Sequence, residues 1–228
     1  MERYRRLLVM CQQGDGEAGS AIDDNFRLID DLLFQWFGSP DETVWDDMRV
    51  PVTATSVGAA RVPNFQQWLT NGAGSTGVYT YFFPDGNSSQ ERDLFFAVQL
   101  PHGYKYGTDL KPHIHWFPKT TGGAGEVVSW GMEYTLAKIG TSFSNTSIIS
   151  GNAVVLPEDP IVANRHYLTP LPDIDGSGID AVSAMLFGRI FRDCGGSLQT
   201  DSYGGDVGLL EIDFHYQIDR VGSDNEYS

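Results

Sequence analysis

The sequence predicts a mainly β protein: an antiparallel β-sandwich of jelly-roll type, preceded by a single N-terminal helix. Three observations predict it. From Val44 onward, apolar runs of strand length alternate with turn-forming stretches, and most of the chain's 26 glycines and 11 prolines lie here to supply the turns. The segment Leu209–Ile218 alternates strictly, with Leu210, Ile212, Phe214, Tyr216 and Ile218 on one side and Glu211, Asp213, His215 and Gln217 on the other. That is the pattern of a strand with one face in a core and one in water. Only one stretch carries a helical period.

Residues 1–19 hold a short strand-like piece, Tyr4–Met10, and a Gly-rich loop, Gly14–Gly19. The helix follows over residues 20–37. Ser20 is placed to cap it, and Ile22, Phe26, Ile29, Leu33 and Trp36 recur at 4-3-4-3 spacing on one stripe. Gly38 and Pro40 end it. Such a stripe packs a helix on its own domain or forms a short oligomerisation seam, although two heptads are fewer than a coiled coil normally shows. The chain therefore divides into an N-terminal arm and helix over 1–41, for docking or oligomerisation, and a sandwich over 42–228. Strands are expected at Val78–Phe83, Asp93–Leu100, Pro112–Phe117, Val127–Leu136, Asn152–Leu156, Ser183–Phe191 and Leu209–Ile218. The last seven residues are polar and expected to fray.

Fifteen basic residues against 30 acidic give a net charge of −15. Free nucleic acid and anionic membranes are therefore unexpected partners, because both demand a basic surface. No stretch approaches the roughly 18 apolar residues of a membrane span. The basic start (Arg3, Arg5, Arg6) is followed by too short an apolar run for a signal peptide, so synthesis in a cytoplasm is expected. Cys11 and Cys194 are far apart without metal-ligand spacing, and free thiols are the expectation.

Two constellations resemble chemical sites. His113 and His115 stand at i, i+2 on an expected strand, so both imidazoles share a face and could reach one metal ion. With Gly107 separated from His113 by five residues, the run resembles the opening of a cupin motif. The glutamate that should follow is replaced by Lys119 and Thr120; the second motif has Asp159 in place of its glycine, and its histidine, His166, lacks the asparagine that should follow. No metal or other cofactor is therefore expected, with His113 and His115 as the candidate ligands if one binds, and His215 joining them only if its strand pairs with theirs. Asp173, Asp175 and Ser177 followed by Gly178 resemble the start of a calcium loop, but Ala184 occupies the position of the bidentate glutamate, so an Asp/Gly turn is expected. Serine-nucleophile motifs, phosphate loops and dinucleotide glycines are absent. The chain is not expected to be an enzyme.

Several stretches taken in order carry a resemblance: Val44–Pro51, Phe95–Tyr104 (FFAVQLPHGY), Gly107–Trp116 (GTDLKPHIHW), Trp130–Tyr134, Met185–Asp193 (MLFGRIFRD) and Leu210–Tyr216 (LEIDFHY), closing on Gly222-Ser223. Together they resemble a group of tailed-bacteriophage and prophage virion structural proteins over roughly residues 42–228. The resemblance implies a particle component made in the host cytoplasm, most readily a capsid decoration or cement protein, with a neck, tail or fibre piece as the alternative. It implies other virion proteins as partners and homo-oligomers, trimers being favoured. A carbohydrate-binding module with exposed Trp or Tyr on a sheet face, Trp116 and Trp130 being the ones to inspect, and a cupin-like metalloenzyme are the competing readings.

Overall fold

The computed structural model describes residues 27–29, 31, 43–85, 90–152 and 159–223. The chain forms two compact units, Met1–Trp45 and Asp46–Ser228. In the first, residues 27–29 and 31 are helical, and Ile29 is exposed. Ile22, Phe26, Leu33 and Trp36, together with the Tyr4–Met10 segment and Cys11, lie outside the described residues.

The described strands number eleven: β1 (Val44–Pro51), β2 (Ser56–Val57), β3 (Asn64–Leu69), β4 (Val78–Phe83), β5 (Asp93–Gln99), β6 (Lys111–Pro118), β7 (Ser129–Ala137), β8 (Ser147–Asn152), β9 (Tyr167–Pro170), β10 (Met185–Arg192) and β11 (Val207–Ile218). They form two sheets. One has the order β3-β4-β11-β6-β9, with β1 also on β11; the other has the order β2-β5-β10-β7-β8. The registered pairs are antiparallel. From β4 to β11 the chain passes between the sheets at every connection except the β7–β8 hairpin. The central orders 4-11-6-9 and 5-10-7-8 are those of a jelly roll, so the expected sandwich is the observed one.

Alternation decides which side chains fill the space between the sheets. Ile114 and Trp116 of β6, with Ile212 and Phe214 of β11, face Leu94, Phe96, Trp130, Met132, Leu186 and Ile190 of the other sheet. Phe83 meets Trp130 edge-on at 5.1 Å between centroids. Trp116 and Trp130 are both fully buried, and the Trp116 indole N–H donates to Thr169 Oγ1 at 2.9 Å.

Glycine and phenylalanine form a repeated device. Gly208 lies opposite Phe117, and Gly131 lies opposite Phe191. In each pair the ring covers its glycine so closely that a Cβ would meet it at 2.3 Å. This spreads an aromatic side chain over backbone that would otherwise lie bare.

The structure departs from the sequence expectations at three places. The strand expected at Asn152–Leu156 is Ser147–Asn152, ending where it was expected to begin; residues 153–158 lie outside the described set. β1, β2, β3 and β9 are additional, short or polar strands held by their neighbours. Finally, a bulge between Leu209 and Glu211 breaks the clean alternation of β11. Leu209 takes the core position, and Leu210 turns towards the polar face.

Candidate functional site

The outward faces of β6 and β11 form the candidate site. Because Ile114 and Trp116 point inward, His113 and His115 point out; because Ile212 and Phe214 point inward, Glu211, Asp213 and His215 point out. The register sets His113 opposite Asp213, His115 opposite Glu211, and His215 opposite Lys111. The neighbouring strand β9 and the turn before it add Leu168 and His166, and β1 adds Asp47 and Arg49. Together they line a solvent-open cavity of about 440 Å³. Four of the chain's five histidines are gathered there.

One hydrogen bond and one longer polar contact orient the rings. His115 Nδ1 lies 2.7 Å from His166 Nε2, and His113 Nδ1 lies 3.4 Å from the carbonyl of Lys111. The Nε2 atoms of His113 and His115 then turn towards one oxygen, Asp213 Oδ2, at 3.7 and 3.8 Å. The other carboxylate oxygen of Asp213 accepts the Phe214 N–H at 2.8 Å. His113 and Asp213 are each only 5% exposed. Burial pushes the Asp213 carboxyl above its ordinary range, helped by the charge of Asp47. Burial, followed by the neighbouring His113 and His166, lowers His115, which favours its neutral ring.

The remaining charges are paired around the rim. Arg49 grips Glu211 with both ends of its guanidinium, at 2.9 and 2.8 Å. His215 Nε2 approaches Asp47 Oδ1 at 3.0 Å, and the His215 ring lies 4.4 Å from that of His113. Lys111 reaches away to Asp173 at 2.7 Å. Among the described residues, His113, His115 and Asp213 form a group whose ligand atoms all lie within 4.8 Å of one another. They are the residues that could hold a metal ion.

The sequence pairing of His113 with His115 on one face is thus observed, and β6–β11 pairing brings His215 beside them. Asp213 was not singled out, although its place on the polar side of β11 was a signal. His166 figured in the sequence only as the histidine of an incomplete second cupin motif, and nothing in the sequence placed it beside His115, 51 residues away. The Asp173–Asp180 segment does not converge on an ion: Asp173 pairs with Lys111, Asp180 pairs with Lys138, and Asp175 accepts the Ser177 N–H at 2.8 Å in an Asx-type turn. Trp116 and Trp130 are core residues and present no ring to solvent.

A second cluster occupies the other end of this sheet face. Trp68 stacks on Phe117 with centroids 3.7 Å apart, and Phe82 meets Phe117 edge-on. The Trp68 N–H is held by Asn164 at 2.7 Å.

Comparisons with known proteins assign no family. No protein-family model matches the chain, and no curated protein does. Solved structures with similar stretches include the Clostridium thermocellum endo-1,4-β-D-xylanase 10B, as its CBM22-1 and GH10 modules complexed with xylohexaose. That match has a TM-score of 0.38 and 13% identity, covering 80% of this chain and 29% of that one. Tailspike protein 4 of bacteriophage CBA120, as its enzymatically active domain, has a TM-score of 0.31 and 7% identity, over 76% of this chain and 19% of that one. The structure of infectious bursal disease virus, Gx strain, has a TM-score of 0.30 and 10% identity, over 79% of this chain and 38% of that one. This chain spans less than two fifths of each of these three. At such scores the likenesses carry no argument about function.

Proposed function

We propose that this chain is a structural component of a tailed-phage virion, most directly a capsid decoration or cement protein, which works as a homo-oligomer and without catalysis. The observation that carries the proposal is that, among the described residues, the sandwich presents two exposed apolar surfaces. The first is on the β3–β4 edge. Phe83 and Tyr81 belong to the core-facing side of β4, so Tyr79 faces the same way, and Phe65 packs on both tyrosines at 5.6 and 5.0 Å. Yet Phe65 is 62% exposed and Tyr79 45%. The second is the outer face of the other sheet. Phe95 of β5 and Phe187 of the adjacent β10 stand there, with Ile148 of β8 beyond the intervening β7, and Phe143 leans on Phe187 at 5.6 Å. Phe187 is 47% exposed and Ile148 51%.

Monomeric soluble proteins rarely present apolar groups of this size together, and two such surfaces suit a subunit that is covered by neighbours. The resemblance of the β region to virion structural proteins supplies the particle. The test is light scattering coupled to size exclusion, followed by binding to purified empty heads. The full chain is expected to run as a trimer and to decorate heads, while Phe187→Asp and Phe65→Asp each reduce both. A wild-type monomer that leaves heads bare, at every concentration examined, overturns the proposal.

A further inference from the structure

We propose that His113 Nε2, His115 Nε2 and Asp213 Oδ2 bind one divalent transition-metal ion of the zinc type, with a fourth position open to the cavity. The inference is independent of the virion reading.

The donor set comes first. Two imidazoles and one carboxylate are a set that zinc accepts, and three protein ligands leave one coordination position for water or an incoming group. Geometry follows. The Nε2 atoms lie 3.7 and 3.8 Å from Asp213 Oδ2. That is beyond a hydrogen bond, whose N···O distance runs at about 2.7–3.2 Å. It is near the ligand separation on a tetrahedral ion, about 3.4 Å for bonds of about 2.0–2.1 Å. Small rotations of three side chains close the difference. The ion would bridge groups that do not otherwise bond to one another.

The surroundings prepare the same three atoms. A ring whose Nδ1–H is donated keeps its Nε2 lone pair free for a metal, and such partners orient metal-binding histidines. Here the Lys111 carbonyl stands at Nδ1 of His113, and His166 Nε2 stands at Nδ1 of His115. In the metal-binding tautomer His115 would donate its Nδ1–H to His166, leaving both Nε2 atoms to face Asp213. Two cations of this face have carboxylate partners of their own: Arg49 pairs with Glu211, and Lys111 with Asp173. Asp213 is a buried carboxylate of the cavity whose contacts within ion-pair distance, among the described residues, are His113 and His115. The strand scaffold is rigid, since His113 and Asp213 are cross-strand partners in the middle of the sheet.

The experiment uses the full chain, freed of any histidine tag, stripped with chelator and titrated with zinc in a calorimeter. Metal content after desalting is read by elemental analysis, and cobalt(II) serves as a visible reporter of coordination. The expected result is one equivalent per chain, a rise in the thermal midpoint on adding zinc, and a low-symmetry cobalt spectrum. His113→Ala and the near-isosteric Asp213→Asn should each abolish all three signals. His166→Ala, which removes only the orienting partner, should weaken affinity by about 10–100-fold and keep the stoichiometry. His102→Ala, whose ring lies between Ser183 and Ser223, should change nothing. If wild type binds no zinc, or if a folded Asp213→Asn chain binds it as tightly as wild type, the proposal is overturned. Circular dichroism identifies any variant that fails to fold, and His115→Gln then takes its place.

Discussion

An Arg192→Met substitution removes the charge that ties the end of β10 to the segment carrying the chain across to β11. Arg192 and Asp201 each have side chains only 1% exposed. The guanidinium donates Nε to Asp201 Oδ2 at 2.9 Å and Nη2 to Oδ1 at 2.8 Å. It also donates to the carbonyls of Gly205, at 2.6 Å, and Tyr203. Asp201 in turn accepts the Ser129 N–H at 3.0 Å, tying in the start of β7. Methionine fills much of the volume but leaves a buried carboxylate with a backbone N–H alone and two carbonyls without their donor. Breaking a buried pair from one side costs about 3–5 kcal/mol. For a chain of this size each kcal/mol moves the midpoint by about 2–4 °C, so the melting temperature should fall by about 6–20 °C. Denaturant unfolding followed by tryptophan fluorescence measures the loss directly, because Trp116 and Trp130 are buried. The m-value should stay constant. In Arg192→Met/Asp201→Leu no charge is left stranded, so the double variant should lose clearly less than the sum of the two single losses. A single-variant loss below about 1 kcal/mol, or strict additivity in the pair, would refute this account of the crossover.

Two further outcomes follow from the packing. Gly208→Ala drives a Cβ into the Phe117 ring and should cost about 1–3 kcal/mol, most of it recovered in Gly208→Ala/Phe117→Leu; calorimetric melting checks both, and an Ala variant as stable as wild type would show that the ring moves freely. Glu133 accepts from Thr146 and from Arg189, and these bonds hold its carboxyl below the ordinary value. A depressed folded value means that the contribution is complete above the unfolded pKa and disappears as pH falls through the folded one. Unfolding titrations of wild type and Glu133→Gln should therefore differ at neutral pH and converge in acid.

Much of the fold was legible because local pattern and tertiary demand agree. β11 needs one face in the core and one in water, and its alternation says so from Glu211 onward. β4, β5, β6, β7 and β10 carry apolar and aromatic runs that no loop would need. β3 was not legible: Asn64–Leu69 mixes Phe65 and Trp68 with two glutamines, and its extended form depends on pairing with β4. β9 is four residues long and owes its conformation to β6. The bulge at Leu209–Glu211 cannot be read from a sequence in which both leucines fit the core. The candidate site was half legible, since two histidines two residues apart on a strand must share a face whatever the fold. Asp213 and His215 became neighbours only through the β6–β11 register, and His166 only through the turn into β9.

The two outer faces of the sandwich differ in kind, and the difference bears on assembly. The face over β6 and β11 gathers imidazoles and carboxylates around a cavity. The face over β10 gathers Phe95, Phe187 and Ile148 around Arg189. That arginine does not spoil the apolar surface as an interface. Its Nη1 meets Glu91 Oε1 at 2.9 Å and also pairs with Asp93, and its Nε meets Glu133 at 2.8 Å. Its guanidinium lies over the Phe191 ring at 4.3 Å. A partner that covers this face desolvates a charge already matched inside one subunit, which avoids the heaviest penalty of burying an ion. The pairing also needs nothing from the partner, so the partner's contribution can be wholly apolar. Under the proposed assembly, Arg189→Met should accordingly weaken the subunit's own stability more than it weakens association, whereas Phe187→Asp should do the reverse, placing an unpaired carboxylate where the proposed neighbour would sit. Equal effects of the two substitutions on oligomer dissociation would show that Arg189 contacts the neighbour itself.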